Sequence, residues 1–293
     1  MAKDKKLRVA GHKVVLNRSA GGDMGIFVLL FIFGAFMFIP MFFVICQSLK
    51  PLDEIFMFPP RLYVVRPTLD NFSDLFQLMN ESWVPFSRYV FNTIFVSLTG
   101  TFGNLVVSSL AAYALAKIKF PGRKVIFQII VLSLMFHETV TAIANFITMS
   151  ALGMIDTLWA RIVPALATSM GLYLMKQFME SSVTDTVLES ARLDGCSELQ
   201  TFYIIAMPMV RPASLTLIIE TFKNLWNGGS SIYIHSEQLK SFNYAIQQIV
   251  SGGIARSGAG CAATVVMMMV PIIVFIICQS NIIETMGASG MKD

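Results

Sequence analysis

The chain has 293 residues, of which 55% are hydrophobic and only 14% charged, with 22 basic against 18 acidic side chains and a formal charge of +4. Soluble domains carry about 25% charged residues, so the deficit points to a membrane protein, and a charge this small gives no case for nucleic acid as a partner. Cys46, Cys196, Cys261 and Cys278 form no CxxC pair and no Cys/His cluster, which excludes a readable metal site or disulfide framework. The chain also lacks the GxxxxGK-Ser/Thr loop that cradles nucleotide phosphates. His12, His137 and His235 are scattered, with no nucleophile–base set around them, so the chain reads as a non-enzyme without a cofactor of its own.

Residues 1–25 form a basic arm carrying Lys3, Lys5, Lys6, Arg8, Lys13 and Arg18. Residues 26–49 then carry no charge, enough for the roughly 20 apolar residues that cross about 30 Å of hydrocarbon. This run is too long for the apolar core of a cleaved signal peptide, about 7–15 residues, and reads as a first span. Residues 50–88 are polar and proline-bearing, long enough for short elements or a small cap. Further spans are expected at 89–116, 125–150, 158–178 (interrupted by Pro164), 212–227 and 261–283. The second and third are separated by a tight basic turn with Lys117, Lys119, Arg123 and Lys124. Residues 228–260 are rich in Gly and Ser, with an amphipathic piece near 242–250. A short tail, 284–293, closes the chain. The reading is an all-α membrane protein whose transmembrane domain covers 26–283.

Orientation follows from where short loops concentrate Lys and Arg. The arm, the basic turn, the 176–211 segment and the tail together hold 14 of the 22 basic residues. They are therefore expected on the cytoplasmic side with both termini. Residues 50–88 and 228–260 are expected outside.

One stretch departs from its oily surroundings: "VLESARLDGCSELQTFYIIAMPMVRPA", residues 187–213. Ser182, Thr184 and Asp185 offer capping oxygens for a helix whose apolar side is Val187, Leu188 and Ala191. Gly195 supplies the positive φ that often ends a helix. Ser197 with Gln200 three residues later has capping-box spacing and starts a second helix. That helix runs through Phe202–Ile205 and stops near Pro208. A helix–glycine turn–helix between spans is a protruding knob, or an ordinary connecting surface helix.

This stretch resembles the EAA loop found in permease subunits of bacterial ABC importers. Glu189, Ala191, Asp194, Gly195 and Pro208 match its order and spacing, and Ser190 replaces the middle alanine. "AYALAKIKFPGRK" (112–124), "LGMIDTLWARIVPAL" (152–166) and "FKNLWN" (222–227) are similar to the carbohydrate-importer branch. The tail "MGASGMKD" resembles the end of the maltose-type second permease subunit. Departures occur at His137, Ala144-Asn145 and Ser182-Val183. The resemblance covers about 26–292. It implies a type I ABC importer permease with six transmembrane helices in a bacterial plasma membrane. It also implies a homologous permease, an ATPase dimer that binds the ATP, and an extracytoplasmic sugar-binding protein. Coupling to the ATPase would run through 189–200 in the loop 182–208, with Glu189, Ser190, Ala191, Asp194, Gly195, Cys196 and Pro208 as its residues. Glu189 would pair with an ATPase arginine. Gly287, Gly290 and Lys292 would reach the ATPase from the tail.

Intramembrane charges usually face a cavity or a partner. Glu138, Glu220, Asn224 and Asn227 are candidates to line a translocation path and hydrogen-bond sugar hydroxyls. The competing expectation for Glu220 is a local pair with Lys223, three residues on. Trp226 could stack on a sugar ring, or anchor its span at the outer interface. The aromatic and proline residues of 50–88 could dock a binding protein. Two other functions stay open: an ABC importer of peptides, amino acids or phosphate esters, and a secondary transporter. The second would predict inverted repeats and broken-helix ion sites, and no clear internal repeat is visible.

Overall fold

The computed structural model describes residues 20–80, 83–136, 138–228, 232–253 and 256–289; among these the chain is helical, with no strand. Three helices are long and apolar enough to cross a membrane: α1 (Ala20–Ser48), α4 (Phe86–Lys117) and α14 (Ser257–Ser289). Most of α1 is exposed apolar surface from Met24 to Phe42, as expected of a helix whose solvent is lipid, and it packs along α14.

α4 is the central post. It has no proline, and it packs against α7 (Trp159–Leu166), α8 (Ser169–Ser182) and α12 (Arg211–Asn227). Its buried face is unusually polar: Asn92, Thr93, Ser97, Thr101, Asn104 and Ser108 recur at helical spacing. Small polar side chains let helices approach closely and bond across the contact. A Cβ on Gly100 would lie 2.5 Å from Leu225 Cδ1, so α4 and α12 meet where no side chain intervenes. Asn104 is the hub. Its Nδ2 donates to Ala165 O at 2.6 Å and to Thr168 Oγ1 at 3.0 Å, and its Oδ1 accepts from Thr221 Oγ1 at 3.3 Å.

The expected third and fourth spans are each two helices. α5 (Arg123–Ser133) and α6 (Glu138–Ala151) are separated by residues 134–137, and α7 and α8 by Ala167 and Thr168. At about 1.5 Å per residue none of the four crosses 30 Å alone. No proline marks the first break. The last carbonyls of α5 are taken in short-range bonds, from Leu134 to Val131, Met135 to Leu132 and Phe136 to Ser133, and Ser133 Oγ meets Ser169 Oγ at 2.6 Å. The second break is stabilised by Asn104, which satisfies the freed Ala165 carbonyl.

Short helices occupy the ends. α2 (Leu52–Ile55) and α3 (Asp70–Asn80) fill the expected cap region, and α13 (Phe242–Ser251) is the expected amphipathic piece. α3, α4, α12, α13 and α14 share one core, built on Leu75, Tyr89, Phe222, Trp226, Phe242 and Ala262. A second core at the other end of α4 joins Tyr113, Met175, Met179, Leu188, Phe202 and Leu217.

Candidate functional site

The 187–213 stretch folds as a knob. α9 (Asp185–Leu193) buries Leu188 and Ala191 and exposes Val187 and Glu189. It ends on Gly195 at φ +84°, where Gly195 N donates to Arg192 O at 3.1 Å and Cys196 N to Ala191 O at 3.0 Å. This paired closure is a Schellman motif, and only glycine takes that φ without strain. Ser197 then caps α10 (Glu198–Gln200) in a full capping box: Ser197 N donates to Gln200 Oε1 at 2.8 Å, and Gln200 N to Ser197 Oγ at 3.3 Å.

One capping expectation differs from the structure. Thr184 holds the N-cap position of α9, but its side chain makes no capping bond. Asp185 instead accepts from Lys117 Nζ at 2.9 Å. The second helix stops at Met209, beside Pro208, as expected. A π-helical turn, Thr201–Ala206, leads into α11 (Met207–Met209), and the direction changes by 82° at Val210 before α12. The wide turn places Phe202 and Ala206 in the core while Tyr203 and Ile204 stay exposed. π-turns of this kind recur at functional sites.

Glu189, Ser190, Ala191, Asp194, Gly195 and Cys196 thus lie together on α9 and its closing turn, while Pro208 sits apart, exposed, beside the bend. Ala191 is buried, and Glu189, Ser190, Asp194 and Gly195 are exposed. Exposed Leu193, Leu199, Tyr203 and Ile204 surround the turn, with Leu193 88% accessible. Charged and apolar side chains displayed together on a rigid, doubly capped turn make a docking surface for a protein.

Contacts that the sequence reading missed hold the knob. Arg192 Nε donates to Glu198 Oε1 at 2.7 Å, and its Nη2 to Glu198 Oε2 at 3.3 Å, a forked pair bridging the two helices. Tyr113 Oη donates to the same carboxylate at 3.1 Å. Tyr113 and Lys117 are four residues apart on α4 and so share a face. One α4 face therefore grips the knob through Lys117–Asp185 at the start of α9 and Tyr113–Glu198 at the start of α10. The hydrogen bond from the Lys117 ammonium holds the Asp185 carboxyl below its usual range. Asp185 is well exposed, so this pair adds little stability, and its effect is mainly on orientation. Another set fixes α8 to α5: Lys176 Nζ lies 2.7 Å from Glu180 and 3.8 Å from the Phe127 ring centroid, and Arg123 lies 3.7 Å from Glu180.

On α12, Thr216, Glu220, Lys223, Asn224 and Asn227 are exposed and fall on one helical face. Glu220 accepts from Lys223 Nζ at 2.8 Å and from Asn224 Nδ2 at 3.2 Å, so the expected local pair forms. The Asn227 carbonyl accepts from Asn243. Trp226 takes neither expected role. It is buried, stacks on Phe222 at 5.7 Å and donates Nε1 to Met267 O at 3.0 Å. Arg161, also missed, donates to Leu225 O and Gly228 O at 3.2 and 3.0 Å, closing the C-terminal carbonyls of α12. Glu138 begins α6, but its side chain lies outside the described residues. Gly287 falls within α14 near its end, and Gly290 and Lys292 lie outside the described residues. Among the described residues no three His, Cys, Asp or Glu side chains gather as a metal site.

No family model matches the chain. It is similar to the polygalacturonan/rhamnogalacturonan transport system permease protein YtcP of Bacillus subtilis, 25% identical over 246 residues, 81% of this chain and 83% of that protein. It is also similar to the arabinooligosaccharides transport system permease protein AraQ of the same organism, 26% identical over 86% of this chain and 90% of that protein. The fold matches a chain in the crystal structure of a bacterial ABC transporter involved in the import of the acidic polysaccharide alginate. The TM-score is 0.75 at 23% identity, covering 90% of this chain and 98% of that one. Along most of its length the chain is similar to permeases of ABC transport systems, and it shares their fold. The chain is a membrane protein, and its homologues are transport permeases, a family not known to be enzymes.

Proposed function

We propose that this permease forms half of the translocation path of an ATP-driven importer of carbohydrates, oligosaccharides above all. The curated relatives it matches along most of its length transport polygalacturonan, rhamnogalacturonan and arabinooligosaccharides. In this reading the broken helices α5–α6 and α7–α8 each count as one span, which with α1, α4, α12 and α14 makes six. Both termini and the knob face the cytoplasm. A homologous permease closes the path opposite the polar face of α12, where Glu220, Asn224 and Asn227 meet sugar hydroxyls. Glu138 is assigned to the same path from sequence alone. The outer cap displays Phe58 and Trp83, 93% and 95% exposed, as docking aromatics for a sugar-binding protein.

The observation that carries the reading is the knob. A short helix closed at one end by Gly195 and followed by a capping box presents Glu189, Leu193 and Leu199 away from the helical body. An ATPase dimer receives it in a cleft and supplies the power stroke. Glu189 pairs there with an arginine, and the tail residues Gly287, Gly290 and Lys292 reach the ATPase as well. ATP-driven closure displaces the knob, and the helices rock as rigid bodies between inward-open and outward-open states. ATP belongs to the partner, so the permease has no cofactor.

The test is purification of the tagged permease from its native membrane in mild detergent, with identification of co-purifying proteins, beside uptake of labelled arabino- and galacturono-oligosaccharides by cells. The expected result is an ATPase in the complex and ATP-dependent uptake, both lost or uncoupled by Gly195→Asp. Uptake that persists with no ATPase present would overturn the reading.

A further inference from the structure

The contacts at the two ends of α4 belong to one device. At the knob end, Tyr113 Oη reaches Glu198 at 3.1 Å and Lys117 Nζ reaches Asp185 at 2.9 Å. At the other end, four residues of the first turns grip the loop that contains the 3-10 turn Glu237–Leu239. Tyr89 Oη donates to Glu237 Oε1 at 2.9 Å. Asn92 Nδ2 donates to Gln238 O at 2.8 Å and Lys240 O at 3.0 Å. Phe242 N donates to Thr93 Oγ1 at 2.8 Å, and Arg88 Nε to Gln238 O at 3.3 Å. The loop in turn holds the end of α12. Ser241 Oγ donates to Gly228 O at 3.0 Å, and Asn243 to Asn227 O.

Tyr89 and Tyr113 stand 24 residues apart on one proline-free helix, about 36 Å at 1.5 Å per residue. Between them the buried face of α4 is closely packed, so the helix moves as a unit rather than bending. The backbone route from the knob to the inner end of α12 runs through a π-turn and an 82° bend, which are poorly suited to carry a push. The polar grips offer a stiffer route to the other end of α12.

We propose that α4 is the rod that links the knob to the far end of the permease, with Tyr113 and Lys117 as positioning residues at the knob and Asn92 and Thr93 as positioning residues at the 237–242 loop. The proposal rests on the assignment of the knob to an ATPase. Displacement of α9 pulls on Tyr113 and Lys117. α4 shifts as a body, and the loop carries the outer end of α12 with it. Tyr113 suits this task because its ring is locked in the core at 5.4 Å from Phe202 while its hydroxyl faces the knob carboxylate. Lys117 keeps its side chain 7% exposed and offers only its ammonium to Asp185.

The test uses the purified complex with its ATPase in nanodiscs. The exposed reporter Gln238→Cys is labelled with a maleimide, and the Gln238 parent supplies the background from native cysteines. Trapping the ATPase with ADP and vanadate is expected to change the labelling rate about fivefold or more, the scale of ordinary coupling between sites. Tyr113→Phe combined with Lys117→Met is expected to abolish that change while ATPase binding and basal hydrolysis persist. Lys117→Arg should preserve it, as should Lys119→Met, which removes a neighbouring charge. Tyr113→Phe alone keeps the ring in place and should reduce the change. A full response in both the double variant and Tyr113→Phe overturns the proposal. So does a complex that holds its ATPase but shows no response in the unaltered permease; the assignment to an ATPase then stands. If no ATPase co-purifies with the unaltered permease, that assignment itself fails and the proposal falls with it.

Discussion

Replacing Gly195 separates backbone strain from crowding, because the two predict different orders of damage. A Cβ built at Gly195 meets nothing within 4 Å, so size alone costs nothing in the permease. The φ of +84° remains. An L-residue held in the left-handed region costs about 1–2 kcal/mol, while Asn is tolerated better because its side chain bonds locally. For a β-branched residue the position is a true outlier. The strain acts on one local equilibrium, closure of the turn through Gly195 N to Arg192 O and Cys196 N to Ala191 O. A penalty of about 1–2 kcal/mol opens that closure about 5–30-fold more often. Amide exchange of Cys196 in the isolated permease reads the opening directly. The expected order of acceleration is Asn below Ala below Val, with little change in the global unfolding midpoint. Coupling of ATP hydrolysis to uptake should fall in the same order. Equal protection for Ala, Val and the parent would refute the strain argument. Damage to coupling that follows side-chain volume with unchanged exchange would show instead that the position is crowded by the docked ATPase.

Further outcomes follow from the packing. Asn104→Leu leaves Ala165 O, Thr168 Oγ1 and Thr221 Oγ1 without their shared partner at a buried position. It should destabilise by about 2–4 kcal/mol, seen as a lower thermal midpoint in detergent and as faster exchange at the α7–α8 break. Gly171→Ala places a methyl 2.6 Å from Thr168 Oγ1 and 2.7 Å from Leu217 Cδ1. Overpacking of about 1–3 kcal/mol is expected, relieved by Leu217→Ala in a double-mutant cycle. Arg161→Met uncaps Leu225 O and Gly228 O. Its effect should be smaller than that of Asn104→Leu, since losing a half-buried charge offsets part of the lost bonding. The Asp185 carboxyl, ordinarily at 3.8, is held lower by Lys117. Its contribution is therefore complete above the ordinary value and is lost only as pH falls through the lowered one. The Lys117–Asp185 contact, followed by crosslinking or by the carboxyl's NMR shift, should be flat from about pH 8 to 5 and disappear only in stronger acid.

What the sequence disclosed about the knob was local chemistry. A glycine at a helix end, a serine three residues before a glutamine and an amphipathic half-turn are each readable from a few adjacent residues. Gly195, the Ser197–Gln200 box and the burial of Leu188 and Ala191 all took the forms expected. The three long apolar helices α1, α4 and α14 were visible for the same reason, since hydrophobic runs need no tertiary context. The interruption inside the fourth expected span was signalled by Pro164, but the one inside the third was not. α5 ends without proline or glycine, its last carbonyls taken by residues 134–136 and its final serine by Ser169 on another helix. A break whose cause lies 36 residues away leaves no local mark.

The same distinction explains which charges were read correctly. Glu220 and Lys223 are three residues apart, and their pairing could be anticipated from helical spacing. Asp185 was read as a cap because caps are local, yet its carboxylate was taken by Lys117, 68 residues earlier. Arg192 and Glu198 lie on separate short helices. Only the turn at Gly195 brings them face to face, and only α4 supplies Tyr113 to share the carboxylate. Trp226 shows the converse: aromatic character at a span's end fits a membrane anchor, but the approach of α14 places the Met267 carbonyl within reach of its Nε1 and makes it core. The knob's own turn can therefore be written in short motifs, because its caps are local. The contacts that hold it to the rest of the protein lie between helices distant in sequence, and α4 bonds both to the knob and to the 237–242 loop.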